Sequence, residues 1–105
     1  MSTRARLPNR RFSETFGIEA QGLKFTATIS YFNDGRLAEI FISNHKAGSQ
    51  ADTNARDAAV VASIALQYGV PLDVIRRALM RDSHGRANSP LGAVLDLVAD
   101  REAGR

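Results

Sequence analysis

From Leu23 to Tyr31 apolar and polar positions alternate without a break. Leu23, Phe25, Ala27, Ile29 and Tyr31 fall on one side and Lys24, Thr26, Thr28 and Ser30 on the other, a period of two that predicts a half-buried strand. Asn33-Asp34-Gly35-Arg36 follows, where Asp-Gly supplies the positive φ angles of a tight hairpin, and Leu37 to Ser43 resumes as a more uniformly apolar strand. Upstream, Phe12 to Ile18 alternates more weakly and reaches a second turn signal at Gln21-Gly22. These segments predict a three-stranded antiparallel meander.

After Ser43 the period changes to about 3.6 residues, the helical value. Ser49 caps the first predicted helix, and Asp52, three residues on, completes a capping-box pair and complements the positive end of the helix dipole. Ala58, Val61, Ala62, Ala65, Leu66 and Tyr68 carry this helix to Gly69, a left-handed stop. Pro71 opens a second helix, with Leu72, Ile75 and Leu79 on one face and Arg76, Arg77 and Arg81 away from it. Ser89-Pro90 starts a third, whose Leu91, Val94, Leu95 and Val98 trace an i, i+3, i+4, i+7 stripe. The order βββααα predicts an α+β fold with three helices packed on one face of the sheet.

Composition narrows the chemistry. The 105 residues include no cysteine, which excludes a disulfide framework and any thiolate metal ligand or nucleophile. No apolar run approaches the roughly 20 residues that span a bilayer. The basic N-terminus has no apolar stretch behind it, so the expected location is the cytoplasm, with no membrane partner. The net charge of +3 is unevenly spread. Residues 1–11 contain Arg4, Arg6, Arg10 and Arg11 and no acid, leaving a net −1 for the rest of the chain. They read as a flexible basic arm on a single domain over 12–101, with 102–105 a short tail.

Two constellations are candidates for binding. In Asn44 to Gln50, Gly48 admits a ligand to the backbone, amides converge at the helix start and Lys46 adds charge. His45, Lys46, Gly48 and Ser49 are therefore candidate ligands of a nucleotide or phosphate. The alternative is a nucleic-acid surface made by Arg76, Arg77, Arg81 and Arg86 with the arginines of the arm. Two histidines without a third donor at ligand spacing give no metal site. Asp82, Ser83 and His84 are neighbours in one loop, whereas catalytic triads converge from separated segments, so no catalytic residue is assigned. Ala38, Ile40 and Ile42, or their alternates, need cover if helices occupy only one sheet face, which predicts a homodimer through the sheet.

The stretch from Gly22 to Val98 resembles the TSCPD domain found at the C-terminal end of adenosylcobalamin-dependent ribonucleoside-diphosphate reductases. The resemblance rests on Leu23 to Ser30, Asp34-Gly35-Arg36, Glu39 to Ser43, Lys46-Ala47-Gly48-Ser49, Leu66 to Pro71 and Ile75 to Leu79. It implies cysteines near Gln21, near Gln50, in the loop Asp82 to Asn88 and at Ser89-Pro90. None is present here. The expectation is a non-catalytic relative of a reductase accessory domain, without a cofactor, that binds a nucleotide, another anion or a reductase partner.

Overall fold

Turn chemistry decides how the first half of the chain pairs. In the computed structural model, which describes residues 3–104, β1 (Ser13–Ala20), β2 (Leu23–Tyr31) and β3 (Leu37–Asn44) form an antiparallel sheet in the order β1-β2-β3. Positions 1 and 2 of the expected arm and 105 of the expected tail lie outside the described residues. Gln21 and Gly22 alone join β1 to β2, both with positive φ, 50° and 78°. That is the primed turn whose twist matches the strands it connects. The second turn departs from the tight two-residue form: Gly35 has a φ of 90° and Asp34 does not share it. The Gly35 N–H donates to the Phe32 carbonyl (2.9 Å) and the Phe32 N–H to the Arg36 carbonyl (2.8 Å), giving a three-residue loop closed by a left-handed glycine.

The alternation places Phe25, Ala27 and Ile29 inside, with Ile40 opposite Ile29 and Ile42 opposite Ala27. Helix α1 (Gln50–Gln67) lies along β3, and α3 (Pro90–Ala103) packs on β1. The short α2 (Leu72–Ala78) packs on α3. Leu91, Val94, Leu95 and Val98 of α3 are buried, as their spacing requires. The fold is α+β in the order βββααα. No helix among the described residues is long and apolar enough to cross a membrane.

Two helix details differ from the periodicity. On α1 the buried residues are Ala55, Ala59, Ala62 and Leu66, whereas Val61 and Tyr68 face solvent. Small side chains let the helix approach the sheet closely, and the polar residues on the same side have partners there. The α1 C-terminus is a Schellman stop: Val70 N–H donates to Ala65 O (3.0 Å) and Gly69 N–H to Leu66 O (3.0 Å), with Gly69 at φ 93°. α2 ends at Ala78, one turn short of the expected span, so Arg81 is not on its face. A competing turn explains this. The Asp82 carboxylate accepts the N–H groups of His84 (2.8 Å) and Arg86 (2.9 Å), and Arg81 pairs with Ala87 in an isolated bridge.

The free edge of β3 is closed by three buried polar side chains of α1. Asp52 accepts the Asn44 N–H (2.9 Å). Ser63 Oγ accepts the Ile40 N–H (2.8 Å), and its single hydroxyl proton has the carbonyls of Ala59 (2.8 Å) and Ile40 (3.1 Å) as alternative acceptors. Gln67 Nε2 donates to Ala38 O (3.0 Å). Backbone groups buried under a helix need such partners, because each one left unmade costs about 1–3 kcal/mol. The same packing covers Ala38, Ile40 and Ile42, the strand residues expected to need a second protomer. Of the alternate positions, Leu37 is buried as well, and the large exposed side chain is Phe41, 56% accessible.

Candidate functional site

Ser49 is the N-cap of α1, with extended φ and ψ and its Oγ accepting the Asp52 N–H at 3.1 Å. The Asp52 carboxylate does not complete a reciprocal box with Ser49. It reaches back to Asn44 N–H (2.9 Å) and Gly48 N–H (3.1 Å) and also takes Arg56 Nε (2.9 Å). The Ser49 N–H donates to Lys46 O (3.2 Å), and the Lys46 N–H to Asn44 Oδ1 (3.0 Å). The amides of Lys46, Gly48, Ser49 and Asp52 are thus donated to acceptors of the chain itself and a resident carboxylate sits among them, whereas the amides of the first two helical residues, Gln50 and Ala51, have no acceptor among the described residues. The hydrogen bond from Asn44 is the main influence holding Asp52 below the ordinary carboxylate range, against the cost of desolvation; Gly48 and Arg56 add to it. The side chains of His45 and Lys46 are exposed beside this loop.

The arginines are largely engaged by acids. Arg76 Nε (2.8 Å) and Arg81 Nη1 and Nη2 (2.8 and 2.6 Å) converge on Asp96 of α3. The Arg81 bonds in particular hold Asp96 below its usual range. Arg86 lies 3.7 Å from Asp82, and Arg11 3.2 Å from Glu39. Arg4 Nε donates to Gln67 Oε1 (2.6 Å) and the Ala5 N–H to Gln67 O (2.7 Å), so the basic segment is tied to the end of α1. Arg6, Arg10 and Arg77 make no side-chain hydrogen bond or ion pair with a described residue. The Asp82-Ser83-His84 set does not assemble as a triad, since Asp82 accepts backbone amides of its own turn.

One polar cluster escaped sequence reasoning. Glu14 Oε1 on β1 accepts Tyr31 Oη (3.2 Å) and Arg101 Nη1 (2.5 Å), and Arg101 stacks over Phe16. Burial, reinforced by Glu14, pushes the Tyr31 hydroxyl above its usual range. The cluster borders a cavity of about 340 Å³ walled by Phe12 and Phe32. Its members lie up to 87 positions apart, and no local spacing announces them.

The larger cavity, about 590 Å³, opens between the β1–β2 turn, the first half of α1 and the segment joining α2 to α3. Hydrocarbon from Leu23, Phe25, Ala55, Ala58, Met80 and Leu91 lines it, with the amides of Gln21, Asn54 and Asn88 and the Ser89 hydroxyl. No ionisable side chain is among its walls. Three of the four places where the resemblance implies cysteines border this cavity: Gln21, Asn88 at the end of its loop, and Ser89-Pro90. The fourth, Gln50, adjoins the lining residue Ala51. Amides and hydrocarbon offer a metal neither thiolate nor imidazole nor carboxylate, so this cavity does not fit one. Among the described residues no three His, Asp or Glu side chains gather at a metal-binding spacing. The sequence marks these positions one at a time, and only the fold shows that they share a cavity with Asn54 and Met80.

The TSCPD domain family matches residues 4–101. The vitamin B12-dependent ribonucleotide reductase of Bradyrhizobium diazoefficiens is 40% identical over 73 residues, 70% of this chain and 6% of the reductase. That of Agrobacterium fabrum is 41% identical over 70 residues, 67% of this chain and 6% of its own length. That of Rhodopirellula baltica is 39% identical over 72 residues, 69% and 7% respectively. The chain therefore spans about one-sixteenth of the length of these relatives. No solved structure matches it significantly. With a βββααα fold and a match over nearly its whole length, the chain belongs to the TSCPD domain family.

Proposed function

We propose that this chain is a non-catalytic binding module whose cavity receives an uncharged side chain of a protein partner, that partner being a vitamin B12-dependent ribonucleotide reductase. The observation that carries the reading is the chemistry of the 590 Å³ cavity. Its volume lies within the roughly 300–1,000 Å³ typical of binding sites, and its walls are apolar with a few neutral amides. Such walls favour hydrocarbon and penalise a phosphate, which would lose its hydration without gaining a cation. Gln21, Asn54 and Asn88 are suited to the main chain that accompanies an entering side chain. Met80, 75% exposed at the rim, gives the adaptable thioether surface that binding grooves favour.

The test is a titration of the isotope-labelled chain with a purified reductase of this type, followed by amide resonances. Shifts at Leu23, Asn54, Met80 and Leu91 are expected, and Met80→Glu, which places a charge at the rim, should weaken binding at least tenfold. Resonances unmoved at saturating reductase would refute the proposal. Nucleotides and inorganic phosphate, titrated separately, address the anion expectation. Binding there would draw on the His45 and Lys46 side chains beside the Gln50 and Ala51 amides, so Lys46→Ala should weaken any shift.

A further inference from the structure

The two edges of the sheet are finished differently. α1 closes the edge of β3 with Asp52, Ser63 and Gln67. On the other side, Tyr31 donates its N–H to Phe12 O, and Ile40 turns its N–H and C=O away from β2 toward Ser63. Antiparallel alternation then directs the backbone groups of Ser13, Thr15, Gly17 and Glu19 away from the sheet. None of these groups has a hydrogen-bond partner among the described residues. β1 contains no proline or lysine and its eight pairs with β2 run without a bulge, so of the usual protections of a free edge it has only the charges of Glu14 and Glu19.

Gly17, at the centre of that edge, is not explained by its own chain. Its φ lies outside the positive range, and a Cβ placed on it would meet nothing closer than Phe25 O at 3.9 Å. Glycine inside a strand costs roughly 0.5–1 kcal/mol relative to alanine, and one frequent reason for it is the close approach of another backbone.

We propose that β1 pairs antiparallel with β1 of a second copy, about a two-fold axis at Phe16, to give a continuous six-stranded sheet. The strand is self-complementary in this register. Thr15 of one copy faces Gly17 of the other and Ser13 faces Glu19, so no like charges are opposed. Phe16, half-buried on the core side beside Arg101, meets Phe16 of the second copy, and both rings lose solvent contact. Glu14, the other acid on the strand, is already neutralised by Arg101.

Because the chain has no cysteine, introduced thiols report alone. Facing residues of a hydrogen-bonded pair stand about 5.5 Å apart between Cα atoms, whereas residues displaced by one further pair exceed the ~7 Å limit for a disulfide. A mixture of Thr15→Cys and Gly17→Cys chains should therefore cross-link between the two variants several-fold faster than either variant does with itself. In the unmodified chain, hydrogen exchange at the Thr15, Gly17 and Glu19 amides should slow as concentration rises, and no variant need fold for that measurement. Gly17→Pro, tolerable at an outward-facing edge position, should give a folded monomer. A monomer by sedimentation at about 1 mM, where even a weak dimer is populated, would overturn the proposal. So would a dimer whose outward β1 amides exchange freely, or self-cross-linking as fast as the mixed reaction.

Discussion

Replacing Ser63 with alanine tests whether α1 acts on β3 as an edge cap as well as an apolar cover. Ser63 is buried, and among the described residues its Oγ accepts the Ile40 N–H at 2.8 Å. Alanine fits the same space but leaves that donor unmade under a helix that excludes water, a loss of about 1–3 kcal/mol. Alanine's better helix propensity returns roughly 0.5 kcal/mol. The expected net loss is about 1–2 kcal/mol, which at a denaturant slope near 1.5 kcal/mol per molar moves the urea midpoint down by about 1 M. Ser83→Ala, in the exposed Asp82–Gly85 turn, is the control and should stay within about 0.5 kcal/mol of the parent. The Ile40 amide should also exchange faster in the variant. A midpoint shift below about 0.3 M for Ser63→Ala, with that amide still protected, would mean that another group supplies the acceptor and that the cap is incidental.

Three further outcomes follow from the same geometry. Gln21 sits at φ 50° in the turn before Gly22, so Gln21→Asn, which tolerates that conformation better, should raise stability by about 0.5 kcal/mol in thermal unfolding. Asp96, Asp52, Asp82 and Asp34 all have folded pKa values below their ordinary ones, so their contribution is complete above the unfolded value near 3.9 and is lost as pH falls through the lower folded values. Urea midpoints should therefore hold from pH 6 to about 4.5 and fall below it, and Asp96→Asn should flatten part of that acid limb. Arg76→Ala and Arg81→Ala should lower stability by stripping Asp96 of its partners, whereas Arg6→Ala, Arg10→Ala and Arg77→Ala should change it by less than about 0.5 kcal/mol. If the arginine surface binds nucleic acid, the second set should lower the affinity and the steepness of its salt dependence.

The strands and the first and third helices are legible in the sequence because their signals are local. Alternation is kept in the burial of Phe25, Ala27 and Ile29 and fails at the ends of the strand, where Leu23 is exposed and Ser30 buried, and Ser89-Pro90 marks the start of α3. Legibility ends where two local signals compete or where the partner is main chain. At Leu79 the helical period continues into Arg81, but Asp82 offers the backbone an alternative turn, and the turn prevails. Ser63 and Gln67 count as ordinary polar positions in any helical pattern. They are inside because the free backbone of β3 needs them, and backbone groups leave no trace in residue identity.

The same distinction governs the candidate sites. A Gly-Ser pair before a helix, with a lysine nearby, reads as an anion cradle because amides are assumed free until an acceptor is found. Asp52 is visible as a capping residue, but its reach to Asn44 and Gly48 depends on how the end of β3 is held against α1. With that carboxylate in place, a phosphate at this helix start meets a like charge and is left the amides of Gln50 and Ala51, which reduces the advantage a helix start offers. The cavity shows the opposite relation. Gln21, Gln50, Asn88 and Ser89 carry no chemistry individually, yet the hairpin turn and the α2–α3 connection bring three of them to one opening with Gln50 alongside. This chain has no cysteine, and the cavity these positions border is uncharged. An uncharged, largely apolar side chain enters walls of that kind at less cost than an anion does.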